Sequence, residues 1–372
     1  MIDPAGLATL GTARLRFATV LGAALLATPA LAADAGHATG AGPGTGAGDA
    51  RAWLERMTRA LDTRNYIGTF FHVSGPRVET MRIVHRDRDG RVTERLESLD
   101  GAGREYVRHS DGRLICYFPD RHTVLVATRP NGAPFLGGLP KFGAGVDRFY
   151  RIRELPDQRL LGHRVTVIAV DPNDQFRFGY RLWIDRRTAM PLKTELRDAQ
   201  GHVIEQILFA SLTMPARIPD RDLEAHVPTS GVRWIVQRPA GEASAGAAAL
   251  RPAALPPGFR LTVAGAQTIG AAHRPAEHLV YSDGLATVSL FIEPRPQPRA
   301  PAATVTPAPV PAPMRGLARF DSGFAFSTVV GGHQVTAVGE VPAQTVEFIA
   351  HSVRAIDGRA SPVALPTVLS HR

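Results

Sequence analysis

Phe176-Arg177-Phe178-Gly179-Tyr180-Arg181-Leu182-Trp183-Ile184-Asp185 is the stretch that decides the fold class. Phe176, Phe178, Tyr180, Leu182 and Ile184 alternate with Arg177, Gly179, Arg181, Trp183 and Asp185. Successive side chains of an extended strand point to opposite faces, so this spacing predicts a strand with one face in an apolar core and the other toward water. Leu192, Thr194 and Leu196 against Lys193, Glu195 and Arg197 repeat the pattern. Val165-Val167-Ala169 and residues 203–212 are apolar on both faces, as central strands are. Working outward, period two runs from Tyr66 to Met214, punctuated by Asp89-Gly90, Asp100-Gly101, Asp111-Gly112, Asn131-Gly132 and Ala199-Gln200-Gly201. Few helical patterns intervene, which argues against parallel strand–helix–strand units. The expectation is an antiparallel sheet of eight or more strands, strongly curved or partly closed. Just before it, Asp49 can cap a helix whose Trp53, Met57, Ala60 and Leu61 make one apolar face against that sheet.

Composition shifts divide the rest of the chain. Residues 1–32 read as a secretory signal: Arg14 and Arg16, an apolar run from Phe17 to Leu26, then Ala30-Leu31-Ala32. That run is too short to span a bilayer, which takes about 20 residues. No cysteine follows it for lipid attachment, so the expected location is the periplasm. Residues 33–48 form a Gly-rich leader and residues 49–237 the sheet domain. Residues 238–257, with eight alanines and four prolines, read as a linker. A smaller α+β unit is expected over residues 258–356. It has strands at Phe259–Val263 and either side of Ser282-Asp283-Gly284, then at Phe324–Val329 and Gln334–Val338. Pro342 suits the first turn of a last helix with Val346, Ile349, Ala350 and Val353 facing in. Eight prolines in residues 294–313 mark a semi-rigid insertion, and residues 357–372 are a tail.

With 44% apolar and 21% charged residues, the 372-residue chain is neither disordered nor a disulfide-stapled mini-protein, having a single cysteine. That cysteine, Cys116, lies in an apolar strand and reads as a buried thiol. The formal charge is +9, and Lys141 and Lys193 are the only lysines among 43 basic residues. Nine arginines in residues 77–113 face eight acids, so the window reads as a solvated hairpin face rather than a nucleic-acid track. No nucleophile elbow, paired metal-binding histidines, phosphate loop or Cys-x-x-Cys is present, so no enzyme activity, cofactor or metal is expected. Residues 134–147, with four glycines and two prolines, suit a mobile cover.

The chain resembles the MucB/RseB family of periplasmic regulators of the envelope-stress sigma factor. The resemblance rests on residues 53–68, on Arg108-His109-Ser110-Asp111-Gly112 through Phe118-Pro119, on Tyr180–Asp185 through Met190-Pro191-Leu192, and above all on Glu277–Leu285. The Tyr180–Leu192 pattern is also similar to the lipoprotein-carrier (LolA/LppX-like) superfamily. The resemblance implies an α+β architecture: an unclosed antiparallel β-barrel with helices in its mouth, and a small C-terminal α+β domain. It implies binding to the periplasmic part of a membrane anti-sigma factor of the MucA/RseA type. That binding shields the partner from site-1 proteolysis, and lipopolysaccharide or a mislocalised lipid releases it. Self-association is compatible with it. The alternative is a periplasmic lipid or lipoprotein carrier.

On this reading Phe176, Phe178, Tyr180 and Leu182 line a lipid-binding concavity, covered by Phe135, Leu136 and Phe142. Arg233-Trp234-Ile235 and the Tyr281-Ser282-Asp283 turn are assigned to the protein partner.

Overall fold

The computed structural model describes residues 47–128, 145–227, 230–237, 250–269, 274–295, 315–320 and 322–355. The leader, the cover at 134–144 and most of the Pro-rich insertion therefore lie outside the described residues.

Helix α1 (Ala47–Thr63) is the first element among the described residues; it starts before Asp49, which is therefore not its cap but lies in the first turn, where a negative charge suits the helix dipole. The strands that follow are β1 (Tyr66–Ser74), β2 (Arg77–Arg88), β3 (Arg91–Ser98), β4 (Glu105–Arg108), β5 (Arg113–Phe118) and β6 (Thr123–Thr128). Then come β7 (Tyr150–Leu160), β8 (His163–Pro172), β9 (Gly179–Asp185), β10 (Pro191–Arg197), β11 (Val203–Thr213) and β12 (Arg233–Gln237). All twelve share one sheet in the order β12-β6-β5-β4-β3-β2-β1-β11-β10-β9-β8-β7. Asp89 and Gly90 both have positive φ, 55° and 76°, the geometry a two-residue hairpin needs to match strand twist.

The sheet curls. In a flat sheet β5 and β7 would stand about 40 Å apart, nine spacings of roughly 4.8 Å. Here Cys116 of β5 and Ile152 of β7 fall in one core cluster with Ala50, Trp53, Leu54, Met57 and Ala60 of α1. Leu54 and Met57 are fully buried, each contributing about 1.5–3 kcal/mol by removal from water. The barrel stays open, because β12 and β7 each have a single neighbour.

Strand β12 pairs parallel with β6, against the antiparallel rule elsewhere. The cause is the crossover after β11, which runs over the back of the sheet. Ile218 and Leu223 pack on Val84, and Ala225, Val227 and Val232 pack by Val107, Tyr117 and Val124. The expected solvated face of residues 77–113 is corrected here: His85, Glu94, Arg95 and Glu105 are buried. Arg95 Nη1 reaches the Glu224 carbonyl at 3.3 Å and His226 Nδ1 at 2.7 Å, and Arg86 Nη1 donates to the Ile218 carbonyl at 3.1 Å. Those arginines hold the crossover down, so they face protein rather than water. Strand β11 also differs from expectation. Its Phe209 joins the core, but Val203 is 48% exposed.

The second unit contains β13 (Leu250–Pro252), β14 (Arg260–Ile269), β15 (Arg274–Ser282), β16 (Thr287–Pro294), β17 (Gly316–Phe320), β18 (Gly323–Val330), β19 (His333–Gly339), α2 (Ala343–His351) and β20 (Val353–Ala355). Six of the strands form a sheet ordered β14-β15-β16-β19-β18-β17, and β13 pairs with β20. Val346, Ile349 and Ala350 of α2 and Val353 of β20 are fully buried against that sheet, on the face expected. The end of the expected linker is not a linker: Leu250 is buried in the core of this unit.

Candidate functional site

Of the expected lipid-lining residues, Phe178, Tyr180 and Leu182 lie together on the inner face of the sheet, in the cluster that packs against α1. Phe176 does not join them. Residues 175–176 turn toward the second unit instead. The Phe176 ring meets Phe348 of α2 at 5.4 Å between centroids, its carbonyl accepts from Thr345 Oγ1 at 2.8 Å, and Gln344 Nε2 donates to the Gln175 carbonyl. Phe135, Leu136 and Phe142 lie outside the described residues. Leu114, Phe118 and Leu125, on the β5–β6 end of the inner face, are only partly buried.

The structure places Arg177 where no alternation rule put it. Rather than facing solvent, it is among the largest fully buried side chains and sits between the two units. Its Nε lies 3.0 Å from Asp283 Oδ2, its Nη1 3.1 Å from Asp174 Oδ2, and its Nη2 donates to the Pro257 carbonyl at 2.5 Å. The rings of Phe149, Tyr150 and Phe259 surround the guanidinium at 4.9, 5.5 and 5.3 Å. Asp283 Oδ1 accepts the backbone N–H groups of Leu285 and Ala286 at 2.8 and 2.7 Å, and Tyr150 Oη donates to Asp283 Oδ2 at 3.1 Å. Burial, then the Asp283 carboxylate, pushes the Tyr150 phenol well above its ordinary range, so it remains a donor.

At Tyr281-Ser282-Asp283, the turn expected to meet a partner, the side chains are engaged within the chain itself. Tyr281 and Asp283 are buried within the chain, and Ser282 Oγ is used by the Ala286 carbonyl and the Gly284 N–H. The signal available in the sequence was Asp174 three residues before an arginine flanked by phenylalanines. Gly258 marks how tightly the junction closes. Its φ is +81°, and a Cβ there would lie 2.4 Å from the Phe149 ring. Gly258→Ala should cost about 1–3 kcal/mol through overpacking alone, read as a lower thermal midpoint. A midpoint equal to that of the parent protein would mean the junction is loose.

Arg233, Trp234 and Ile235 sit at one rim of the sheet. They lie on β12, an edge strand of the sheet. Trp234, Ile235 and Val236 are 53%, 37% and 65% exposed. The opposite edge, β7, is guarded by Pro156, Asp157 and a register shift between Leu155 and Gln158. β12 has no proline, and its one charge is Arg233. An edge of this kind offers free backbone groups and apolar side chains to an added strand.

Glu97, Glu105 and His226 come close enough to suggest a metal site. The position is filled by protein, because Arg95 Nη2 lies 2.9 Å from Glu97 and its Nη1 lies 3.4 Å from Glu105. A guanidinium already supplies the cation.

A family model described as the MucB/RseB N-terminal domain matches residues 49–227, and one described as the MucB/RseB C-terminal domain matches residues 244–354. The chain is 34% identical over 308 residues to the sigma factor AlgU regulatory protein MucB of Pseudomonas aeruginosa, covering 82% of this chain and 91% of that one. It is 25% identical over 311 residues to the sigma-E factor regulatory protein RseB of Escherichia coli, covering 82% and 90%. A solved complex of P. aeruginosa MucA and MucB is similar at a TM-score of 0.62 and 30% identity, covering 83% of this chain and 100% of that one. A crystal structure of MucB is similar at a TM-score of 0.58 and 30% identity, covering 83% of this chain and 98% of that one. Matched in both of its units, the chain belongs to the MucB/RseB family of sigma-factor regulatory proteins.

Proposed function

We propose that this chain is a periplasmic regulator that acts by binding rather than catalysis. It holds the periplasmic segment of a membrane anti-sigma factor of the MucA/RseA type and keeps it from site-1 proteolysis. The observation that carries this reading is similarity across both units to MucB in its complex with MucA. The exposed β12 edge supports it with a place for an extended segment, at Arg233-Trp234-Ile235. Lipopolysaccharide or another lipid weakens the complex. Its acyl chain would enter by the half-buried Leu114, Phe118 and Leu125 and displace α1 from Phe178, Tyr180 and Leu182.

Residues 33–372 titrated with the anti-sigma segment test this, with and without lipopolysaccharide. Tight binding that the lipid weakens is expected. No binding to that segment, together with lipid copurifying near one per chain, would favour a lipid carrier instead. Trp234→Ala should weaken the complex about 30-fold, the loss typical of an aromatic anchor of roughly 2 kcal/mol. Val236→Lys, which charges the edge, should act in the same direction. Unchanged affinity in both variants would move the contact away from β12.

A further inference from the structure

At the tip of the β7–β8 hairpin, Arg159 of one strand stands directly opposite Arg164 of the other. Both are exposed, and neither is in an ion pair among the described residues. Like charges facing each other across two strands weaken the pairing. Between them the turn carries Leu161, 54% exposed and at φ 51°, a left-handed value rare for a bulky side chain. The tip is held in place nonetheless. His163 Nδ1 lies 2.7 Å from Asp185 Oδ2, and the Arg186 N–H donates to the Arg164 carbonyl at 3.1 Å. A bare leucine in a strained turn, collared by opposed arginines, costs stability in the free protein and points to a partner outside the chain.

The charge of the whole sheet is polarised the same way. The strand registers put this tip at one end of the sheet, together with the β2–β3, β4–β5 and β9–β10 turns. Taken with two residues of each flanking strand, the turns at that end carry eight arginines and four aspartates. The turns at the other end carry five arginines and seven carboxylates by the same rule. A chain polarised in this way turns its basic end toward a negatively charged surface. The β8–β9 turn, from which Phe176 meets Phe348 of the second unit, is at the opposite end. Contact at the tip therefore leaves that junction undisturbed.

We propose that the β7–β8 tip docks this chain on the surface of an anionic bilayer. Leu161 enters the interfacial layer, and Arg159 and Arg164 face the head groups around it. An acidic protein would answer the charge but not the bare leucine at the apex. A single lipid drawn into the fold would answer neither, because Leu161 lies outside the inner core cluster. The proposal stands whether or not the chain regulates a sigma factor.

The test is sedimentation of residues 33–372 with vesicles of phosphatidylcholine, alone or with about one-third phosphatidylglycerol to make the surface anionic. Binding to the anionic vesicles only is expected, and it should fall as salt is raised. Arg159→Gln with Arg164→Gln should weaken it about 20-fold, near fivefold for each arginine at the surface. Leu161→Ser should weaken it as well while leaving the salt dependence in place. Arg82→Gln with Arg260→Gln, the same charge change at exposed positions away from the tip, should leave binding within twofold. Melting curves on the same samples show that each variant is folded. Equal sedimentation with both kinds of vesicle overturns the proposal, as does parent-like binding by the Arg159 and Arg164 variant. Phosphatidylglycerol leaving the vesicles with protein in the supernatant also overturns it, since that is uptake rather than docking. Binding to polyglutamate with none to vesicles overturns it too, and assigns the basic end to an acidic protein segment. Affinity for the anti-sigma segment, measured in parallel, reports separately on the regulatory reading.

Discussion

Asp283→Ala is expected to destabilise the protein by about 3–5 kcal/mol, the usual cost of removing one partner from a buried ion pair. Arg177 stays behind, fully buried among Phe149, Tyr150 and Phe259, with its charge no longer matched by Asp283. The Leu285 and Ala286 N–H groups and the Tyr150 hydroxyl lose their acceptor at the same time. Because this pair joins the two units, the loss falls on the junction. Calorimetry of the parent protein should show coupled melting. The variant should show two separated transitions, the lower shifted down by roughly 10 °C. Arg177→Met with Asp283→Leu removes both charges and should recover much of the stability, since an apolar pair avoids the desolvation cost. A single transition in Asp283→Ala near the parent midpoint would mean the pair does not couple the units.

The second large effect is expected at Glu94. Tyr66, His85, Glu94 and Arg108 stand opposite one another across β1, β2, β3 and β4. His85 Nδ1 donates to Glu94 Oε1 at 2.7 Å, Arg108 Nε donates to Oε2 at 2.8 Å, and the Tyr66 and His85 rings stack at 4.5 Å. Glu94→Ala leaves His85 and Arg108 without that carboxylate and should cost about 3–5 kcal/mol at neutral pH. Burial by itself would raise the Glu94 carboxyl, but the hydrogen bonds and charges of His85 and Arg108 outweigh it and hold the pKa below 4.5. A carboxyl lowered on folding contributes stability that is fully present above its unfolded value. That contribution is lost as pH falls through the lower folded value. The urea midpoints of parent and Glu94→Gln should therefore differ most at neutral pH and draw together as pH falls below the ordinary carboxyl range. A gap that stays constant with pH would remove the ionised carboxylate as its source.

Alternation, turn dipeptides and apolar spacing were enough to read the curved antiparallel sheet, the Trp53 helix, the second unit and its last helix. These are local signals: a period of two or of 3.6 is set by backbone geometry and survives wherever the chain folds. Family membership was legible for a related reason, since segments such as Glu277–Leu285 carry turn and packing requirements in consecutive residues. The exposed Trp234 and Ile235 could be named as candidates, but their standing as an edge could not. It depends on a crossover that brings β12 parallel to β6, 110 residues upstream in the Arg233–Thr123 pair.

By itself the sequence determined which residues share a face. Only the tertiary structure decided whether that face is covered. Arg177 and Asp283 are 106 residues apart and meet only because the second unit closes on the β8–β9 turn. Glu94, Arg95 and Glu105 look solvated in sequence because acids and arginines alternate there. They are buried because residues 218–227 of the crossover cover one side and α1 with the curled sheet covers the other. A charged side chain follows local periodicity as readily in water as in protein. What separates the two cases is a partner at the right distance, and long-range packing alone supplies it.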